Sequence, residues 1–185
     1  MDFKQVKGDA TMYCRYAKKG DLAGINQVIT DAVMVWTIAE RAKRLIIPVL
    51  CYSEDDFGYY KTLVWINHQQ IIGIAVWDSD RPIETEKGYA LLLHGLYVSP
   101  DFQGRGIGKA LMAYVKELVL DAVAVSVLDG DIEGDIEGDI EGDIEGLLIK
   151  AERVSISFFE HCGLERMFPL SMEDYPYQFW QPLQA

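Results

Sequence analysis

Hydrophobic positions along the chain follow two periods, which predicts interleaved strands and helices. Alternating or β-branched runs predict strands over residues 13–17, 62–66, 71–77 and 90–98. Helical spacing predicts one helix capped by Asp21, a second over 38–47 that stops near Pro48, and a third from 107 to about 120. Because no linker divides the chain, the pattern predicts a single mixed α/β domain over residues 1–185.

The remaining segments connect these elements or extend the sheet. Residues 67–70 predict a hairpin turn, and residues 78–87 form a polar loop. Residues 123–128 either continue the third helix or form a strand, and residues 147–151 are the alternative strand before the last helix. A short helix over 153–161 is predicted to end at Gly163, a residue suited to a left-handed cap. The aromatic tail over 175–180 is expected to close the sheet.

A tandem repeat interrupts this pattern. Four perfect copies of Asp-Ile-Glu-Gly occupy residues 131–146. A glycine in every fourth position suits neither a helix nor a strand, and loop closure entropy grows only slowly with length. Residues 129–146 are therefore predicted to be a mobile, solvated insertion. A calcium site is the alternative, although the order of ligands found in EF-hand loops is absent.

Composition excludes several classes of protein. The chain has 17 basic and 29 acidic residues, for a net charge of -12, which disfavours nucleic acid as a partner. The repeat carries eight of the carboxylates, so the rest of the chain has a net charge of only -4. No apolar run approaches the roughly 20 residues needed to span a membrane. Three cysteines without metal-ligand spacing, and a start unlike a signal peptide, predict a cytoplasmic protein without a metal.

The most informative stretch joins a predicted strand to a predicted helix through a glycine-rich turn. Gly104, Gly106 and Gly108 allow the backbone to approach a ligand closely, and a helix start offers unpaired N–H groups. Such geometry binds phosphate. The spacing does not fit a P-loop, because Gln103 and Ala110 occupy its first glycine and its hydroxyl position. A dinucleotide fingerprint fails as well, since its last glycine would be Lys109.

The spacing Gln103-x-x-Gly106-x-Gly108 resembles the signature of the GNAT superfamily of acetyl-CoA-dependent N-acetyltransferases. Leu96-Tyr97-Val98-x-Pro100 is similar to the end of the family's fourth strand, and residues 155–164 are similar to its last helix and turn. The resemblance covers roughly residues 11–180 outside the repeat. It implies a three-layer α-β-α fold with a twisted, mixed central sheet of about six or seven strands and about four flanking helices.

The resemblance also assigns residues to the cosubstrate, acetyl-CoA. It implies that main-chain groups of Leu96, Tyr97 and Val98 pair with the pantetheine arm and that an N–H near Val98 polarises the thioester carbonyl. It implies that backbone N–H groups hold the pyrophosphate and that the side chains of Arg105 and Lys109 add positive charge. The residues that supply these N–H groups are Gln103, Gly104, Arg105, Gly106, Ile107, Gly108 and Lys109.

His94 is the candidate general base. It occupies a position where related enzymes often place a glutamate that removes a proton from the incoming ammonium. Such a base is needed because an alkylamine has a pKa of about 10.4, and reaching its neutral form at pH 7 costs about 4.6 kcal/mol. The alternative is a core histidine bonded to a neighbouring strand. His68 and His161 are expected to be surface or structural residues.

Two residues depart from the family pattern. Phe159 occupies the position of the tyrosine that protonates the departing CoA thiolate, and Glu152 replaces an asparagine that contacts the cofactor. Since phenylalanine has no proton to donate, the thiolate leaves unassisted or through water, or another group such as Tyr97 or a C-terminal tyrosine assists it.

The resemblance places the acceptor pocket in residues 33–40 and 52–60. These segments combine carboxylates and aromatic rings, which suit a cationic amine, although they also fit an ordinary solvated loop over core aromatics. The predicted function is transfer of an acetyl group from acetyl-CoA to a primary amine of a small molecule or peptide, and a homodimer is compatible with it. The alternative is a non-catalytic acyl-CoA-binding or regulatory module. The aromatic and acidic residues of the two predicted acceptor segments are Trp36, Tyr52, Glu54, Asp55, Asp56, Tyr59 and Tyr60.

Overall fold

A computed structural model describes residues 12–78, 81–128, 143–168 and 176–183. These residues form four α-helices and eight strands with both parallel and antiparallel pairing, which confirms the predicted mixed α/β fold. Residue contacts group them into two compact units. The first unit holds residues 12–78 and 94–112, and the second holds the remaining described residues. One strand, β5 (Gly88–Val98), and one helix, α3 (Ile107–Leu128), contribute residues to both units.

The first unit is built around an antiparallel hairpin. Strand β1 (Met12–Tyr16) pairs with β2 (Tyr60–Asn67), and β2 pairs with β3 (Gln70–Asp78). The predicted turn between β2 and β3 is confirmed, and both of its central residues, His68 and Gln69, have positive φ angles of 45° and 71°. Turns of this kind match the twist of the flanking strands.

Helices of the first unit cover both faces of this sheet. Helix α1 (Leu22–Met34) buries its side chains Ile25, Ile29 and Val33 against β2 and β3. The start of α3 lies on the opposite face, where Ile107 and Leu111 close over Gly73 of β3. Since neighbouring residues of a strand point to opposite faces, the sheet of this unit lies between two helical layers, as predicted.

Helix α2 (Glu40–Leu50) follows α1 and corrects a prediction. The helix was expected to stop near Pro48, but it continues to Leu50, and the N–H of Cys51 still donates to the Ile47 carbonyl at 3.0 Å. A proline in the last turn removes only one hydrogen bond of the helix. Lys43, on the same helix, is 7% exposed and donates from Nζ to the Met34 carbonyl at the end of α1.

The second unit contains the short strand β4 (Ile83–Thr85), β6 (Ile144–Lys150), helix α4 (Ile156–His161), β7 (Glu165–Met167) and β8 (Gln178–Pro182). Strand β6 pairs in parallel with β5 and antiparallel with β8, and β8 pairs with β7. Its core includes Ala90, Leu148, Met167 and Trp180. Gly163 ends α4 with a φ of +78°, as predicted for a left-handed cap.

The second unit corrects three predictions. Helix α3 runs about two turns beyond its predicted end near residue 120. Of the alternatives left open, residues 123–128 continue this helix, and the strand before the last helix is the one predicted over 147–151. The polar segment 78–87 is not entirely a loop, because Ile83–Thr85 pairs with β5. The aromatic tail does form a sheet strand, but this strand begins at Gln178, and residues 169–175 lie outside the described residues.

The predicted insertion over 129–146 is three residues too long. Its last copy, which begins at Asp143, supplies Ile144, Glu145 and Gly146 to β6. Pairing fixes these residues: Ile144 lies opposite Tyr89 and Gly146 opposite Pro182. Long-range pairing thus overrides the poor strand propensity of a glycine-containing tetrapeptide. Residues 129–142 lie outside the described residues, so the mobile loop remains a prediction for them.

Candidate functional site

The glycine-rich turn lies between β5 and α3, in the first unit. A short 3₁₀ turn over Pro100–Phe102 is followed by Gln103 in an extended conformation. Gly104 and Gly106 then have φ angles of +70° and +81°. A side chain at either position would have open space, so sterics with neighbours do not require glycine there. The left-handed backbone conformation is what requires glycine, since this conformation costs an L-residue about 1–2 kcal/mol.

The turn delivers the chain to the start of α3. The carbonyl of Gly106 accepts the N–H of Ala110 at 2.9 Å, so helix geometry gives the three preceding amides no acceptor within α3. These amides belong to Ile107, Gly108 and Lys109 and lie at the positive end of the helix dipole. Amides in this position can bind an anion, and the phosphate site there stays a prediction.

The side chains of the turn remain at the surface. Gln103, Arg105 and Lys109 are exposed, whereas Ile107 is buried against the sheet. Gln103 donates from Nε2 to the Val98 carbonyl at 3.0 Å, which ties the turn to the end of β5. The Arg105 guanidinium lies 5.1 Å from the centre of the Phe102 ring. Two cationic side chains therefore flank the free amides.

Strand β5 presents an open main-chain edge next to this turn. On one edge, β5 pairs with β6 from Tyr89 to Leu93. The pairing of this edge with β6 ends at Leu93, and β5 continues beyond it through residues 94–98. Leu96, Tyr97 and Val98 are each partly buried there. Unpaired strand edges accept an extended ligand as an additional strand.

His94 begins this open segment and contacts a buried carboxylate. Its Nε2 lies 3.0 Å from Oδ1 of Asp78, the last residue of β3. Asp78 is 8% exposed, and its cross-strand partner Tyr60 places a ring 4.3 Å from the imidazole, centre to centre. With Nε2–H donating to the carboxylate, the lone pair of the neutral ring is on Nδ1.

Asp78 was missed in the sequence because it opens the predicted polar loop. The available signal was the position of Asp78 directly after the apolar run Ile71–Trp77, at the predicted end of a strand. The partner could not be read from the sequence, since 16 residues separate Asp78 from His94. The histidine therefore does bond to a neighbouring strand, as its structural alternative requires, while remaining beside the open edge of β5.

Tyr52 brings a phenol to the same part of β5. A Cβ built on Gly95 would lie 2.8 Å from the Tyr52 hydroxyl oxygen and 2.9 Å from Cε2 of Tyr97. The ring of Tyr52 also meets that of Tyr60 edge-on, with centres 6.1 Å apart. Burial raises the pKa of Tyr52, and the nearby Tyr97, Tyr60 and Asp56 raise it further. The hydroxyl therefore stays protonated over the working pH range.

The predicted acceptor segments divide into packed rings and exposed carboxylates. Tyr52, Phe57 and Tyr60 pack against the core of the first unit and, with Ile25, Asp56 and Thr62, line a small recess. Trp36 packs against the same core. Glu54 and Asp55 are exposed, as is Tyr59. Asp56 accepts hydrogen bonds from the N–H and hydroxyl of Ser53 at 2.5 and 2.7 Å.

Phe159 has a structural role in the second unit. It is 5% exposed, and its ring centre lies 5.1 Å from that of Phe158 and 5.4 Å from that of Phe179. This aromatic packing explains how phenylalanine is accommodated there. It supplies no proton donor, as the sequence predicts.

The described residues contain no cluster of three or more His, Cys, Asp or Glu side chains that could hold a metal ion. Among them, no helix is long and apolar enough to cross a membrane.

Comparison with known proteins agrees with this fold. Residues 30–130 match the model of the Acetyltransferase (GNAT) family. Among solved structures, a PaiA N-acetyltransferase from Thermoplasma acidophilum in complex with coenzyme A is 16% identical with a TM-score of 0.59, covering 92% of this chain and 98% of that one. A GNAT family acetyltransferase from Brucella melitensis in complex with acetyl-CoA is 17% identical with a TM-score of 0.53, covering 94% and 89%.

A third similar structure is a KacTA–DNA complex, which is 14% identical with a TM-score of 0.56 and 94% coverage of both chains. At these identities the solved structures show the fold alone. No curated protein sequence matches the chain. The family match covers more than half of the chain, and the described fold agrees with it. This chain belongs to the GNAT acetyltransferase family.

Proposed function

We propose that the chain transfers an acetyl group from acetyl-CoA directly to a primary amine. The observation that carries the proposal is that the free amides at the start of α3, the edge of β5 beyond Leu93 and His94 lie along one continuous segment of the first unit, residues 94–109. His94 in turn contacts Asp78 of β3. An anion site, a strand edge and a base in this order match the pyrophosphate, the pantetheine arm and the reacting end of acetyl-CoA.

The donor would be held mainly by main-chain groups. Amides of the turn from Gln103 to Lys109 face the pyrophosphate, and the exposed Arg105 and Lys109 add positive charge. The pantetheine arm would add to the open edge at Leu96, Tyr97 and Val98 like an extra strand. In support, similar structures include complexes with coenzyme A and with acetyl-CoA.

His94 would remove a proton from the ammonium ion of the acceptor, directly or through water. Its Nδ1 carries the lone pair when Nε2–H donates to Asp78, so the carboxylate selects the tautomer and holds the ring. The Tyr60 ring restricts the imidazole from another side. The freed amine then attacks the thioester carbon, and a main-chain N–H of β5 near Val98 stabilises the oxyanion.

The acceptor would enter beside the aromatic recess of the first unit. On the surface of the loop after α2, Glu54 and Asp55 are exposed carboxylates and Tyr59 is an exposed ring. This combination favours a cationic small molecule or peptide amine over an anion. Nucleic acid is not the proposed partner, because the chain carries 29 acidic and 17 basic residues, although one similar structure is a DNA complex.

We place the reaction in the cytoplasm. Cys14, Cys51 and Cys162 form no disulfide among the described residues, and burial raises the pKa of Cys14 to about 12. Thiols that stay reduced are typical of that compartment.

The test is CoA release measured with a panel of amines, including polyamines, amino acids, aminoglycosides and peptides with a free N-terminus. At least one amine should give saturable CoA release and an acetylated product by mass spectrometry. His94→Ala should reduce kcat at least about 100-fold, since general base catalysis contributes roughly 10²–10⁴-fold, with acetyl-CoA affinity unchanged. His68→Ala, in the exposed hairpin turn, is the matched control.

Two results would contradict the proposal in different ways. Acetyl-CoA binding by calorimetry without turnover of any amine would favour a non-catalytic acyl-CoA-binding module, for which Phe159 is the supporting observation. Absence of acetyl-CoA binding would exclude both functions. Unchanged turnover in His94→Ala would leave the activity and remove His94 from the mechanism.

A further inference from the structure

The proposed reaction requires a group that meets the negative charge on sulfur as CoA departs. Phe159, at the position where related enzymes carry a tyrosine, is packed between Phe158 and Phe179 and has no proton to offer. A different element of the chain must therefore serve the sulfur, or the thiolate leaves unassisted.

Tyr52 is a rigidly held phenol in the first unit. Its backbone N–H donates to Oδ1 of Asn26 at 2.9 Å, and its carbonyl accepts from Nδ2 of the same side chain at 2.8 Å. This reciprocal pair attaches the residue to α1. The hydrogen bonds that fix Tyr52 use its backbone, so its hydroxyl is not the group that holds it in place.

The hydroxyl of Tyr52 is directed at the main chain of β5. It lies 2.8 Å from the point where a Cβ of residue 95 would stand, a distance that real Cβ atoms essentially never show. Only glycine leaves room for it. Gly95 lies between His94, the candidate base, and Leu96, the first residue of the predicted pantetheine edge. The phenol is therefore beside the segment where the thioester would meet the amine.

We infer that the Tyr52 hydroxyl donates a hydrogen bond to the CoA sulfur while the bond from the acetyl carbon to sulfur breaks. This inference rests on the proposed function. It makes Tyr52 a catalytic residue on the loop after α2, in place of the residue that the family usually provides from its last helix.

The step balances without transfer of the phenol proton. The amine nitrogen forms a bond to the carbonyl carbon and loses one N–H proton to water, the bond from carbon to sulfur breaks, and sulfur keeps the electron pair. Because burial raises the pKa of Tyr52, the phenol keeps its proton and acts as a hydrogen-bond donor. The thiolate of a thiol with a pKa of about 8.5 is a tolerable leaving group, and it takes its proton from solvent after departure.

The test is Tyr52→Phe, which removes only the oxygen. We expect kcat to fall about 10- to 100-fold, as for a lost hydrogen bond to a charged group, with the acetyl-CoA dissociation constant and the KM of the amine within about twofold of wild type. Tyr16→Phe is the control, since Tyr16 of β1 is 38% exposed and carries the same chemical change outside the residues assigned to the site. Its kcat should equal that of wild type.

A second donor separates sulfur from the carbonyl oxygen as the site of the hydrogen bond. With S-phenyl thioacetate, whose thiol is more acidic, less charge needs stabilising on sulfur. The ratio of wild-type to Tyr52→Phe kcat/KM should therefore move towards one. An unchanged ratio would overturn the assignment to sulfur.

Failure of this inference is distinguishable from failure of the proposed function. If the wild-type chain acetylates an amine and Tyr52→Phe has the same kcat, the inference about Tyr52 is overturned and the proposed function stands. A wild-type chain that binds acetyl-CoA but acetylates no amine would overturn both. A Tyr52→Phe chain that loses acetyl-CoA affinity as well as kcat would show a structural role and would also overturn the inference.

Discussion

Gly95→Ala tests the packing on which the assignment of Tyr52 depends. The added Cβ would lie 2.8 Å from the Tyr52 hydroxyl and 2.9 Å from Cε2 of Tyr97, whereas ordinary contacts begin at 3.4 Å. Both rings would have to retreat by about half an ångström or more. Tyr52 cannot swing away freely, because Asn26 holds its backbone on both sides. Overpacking of this kind typically costs about 1–3 kcal/mol, and we expect about 2 kcal/mol here.

The assay is a double-mutant cycle measured by urea denaturation. Gly95→Ala, Tyr52→Phe and the double variant are compared by their midpoints and m-values. Because Tyr52→Phe removes the oxygen that the new methyl group would meet, Gly95→Ala should cost about 1 kcal/mol less in that background. The contact with Tyr97 remains in both backgrounds. Gly58→Ala is the control, since no heavy atom lies within 4 Å of a Cβ built there.

Additive free energies of unfolding would refute the reasoning. A coupling energy below about 0.3 kcal/mol would mean that the hydroxyl does not lie over Gly95. The measurement needs no substrate, so it tests the geometry of the site independently of any activity.

Three further predictions concern stability. Gly146→Ala should cost about 2 kcal/mol or more by urea denaturation, because the new Cβ would lie 2.5 Å from Cη2 of the buried Trp180; a loss under about 0.5 kcal/mol would contradict this packing. Arg15 lowers the pKa of Asp21 through hydrogen bonds of 2.6 and 3.0 Å, so the pair stabilises the fold above the unfolded carboxyl pKa, and this contribution is lost as pH falls through the lower folded value. Asp21→Asn should therefore lose about 1 kcal/mol at pH 7 and match wild type near pH 2, and equal losses at both pH values would argue against the ion pair. Deleting one repeat copy, residues 139–142, should change stability by less than about 0.5 kcal/mol in the same assay, and a loss above about 2 kcal/mol would contradict a passive insertion.

Local signals predicted most of the first unit. Alternation over 62–66 and 71–77 with a polar turn between them is sufficient for a hairpin, because both strands and their pairing are set within a few residues. The glycine-rich turn before α3 was equally readable, since positive φ angles at Gly104 and Gly106 require the residue type that the sequence supplies.

Contacts between distant residues account for what the sequence did not reveal. The bond between Asp78 and His94 depends on strands that become neighbours only in the folded sheet. The approach of Tyr52 to Gly95 likewise joins the loop after α2 to β5. The start of β6 at Ile144 was missed because the tetrapeptide has weak strand propensity, and pairing with β5 and β8 decides its conformation.

The last repeat copy forms the start of β6, so the number of copies in the gene can change without altering the sequence of this strand. The residues that begin the strand, Ile144, Glu145 and Gly146, are spelled identically in every preceding copy. When replication slippage removes or adds whole copies, whichever copy becomes last still presents Ile-Glu-Gly ahead of Leu147 and a glycine beneath Trp180. The amino-acid sequence of β6 is therefore the same at any copy number. Natural variants of this chain should differ in the number of whole copies and retain an intact final one.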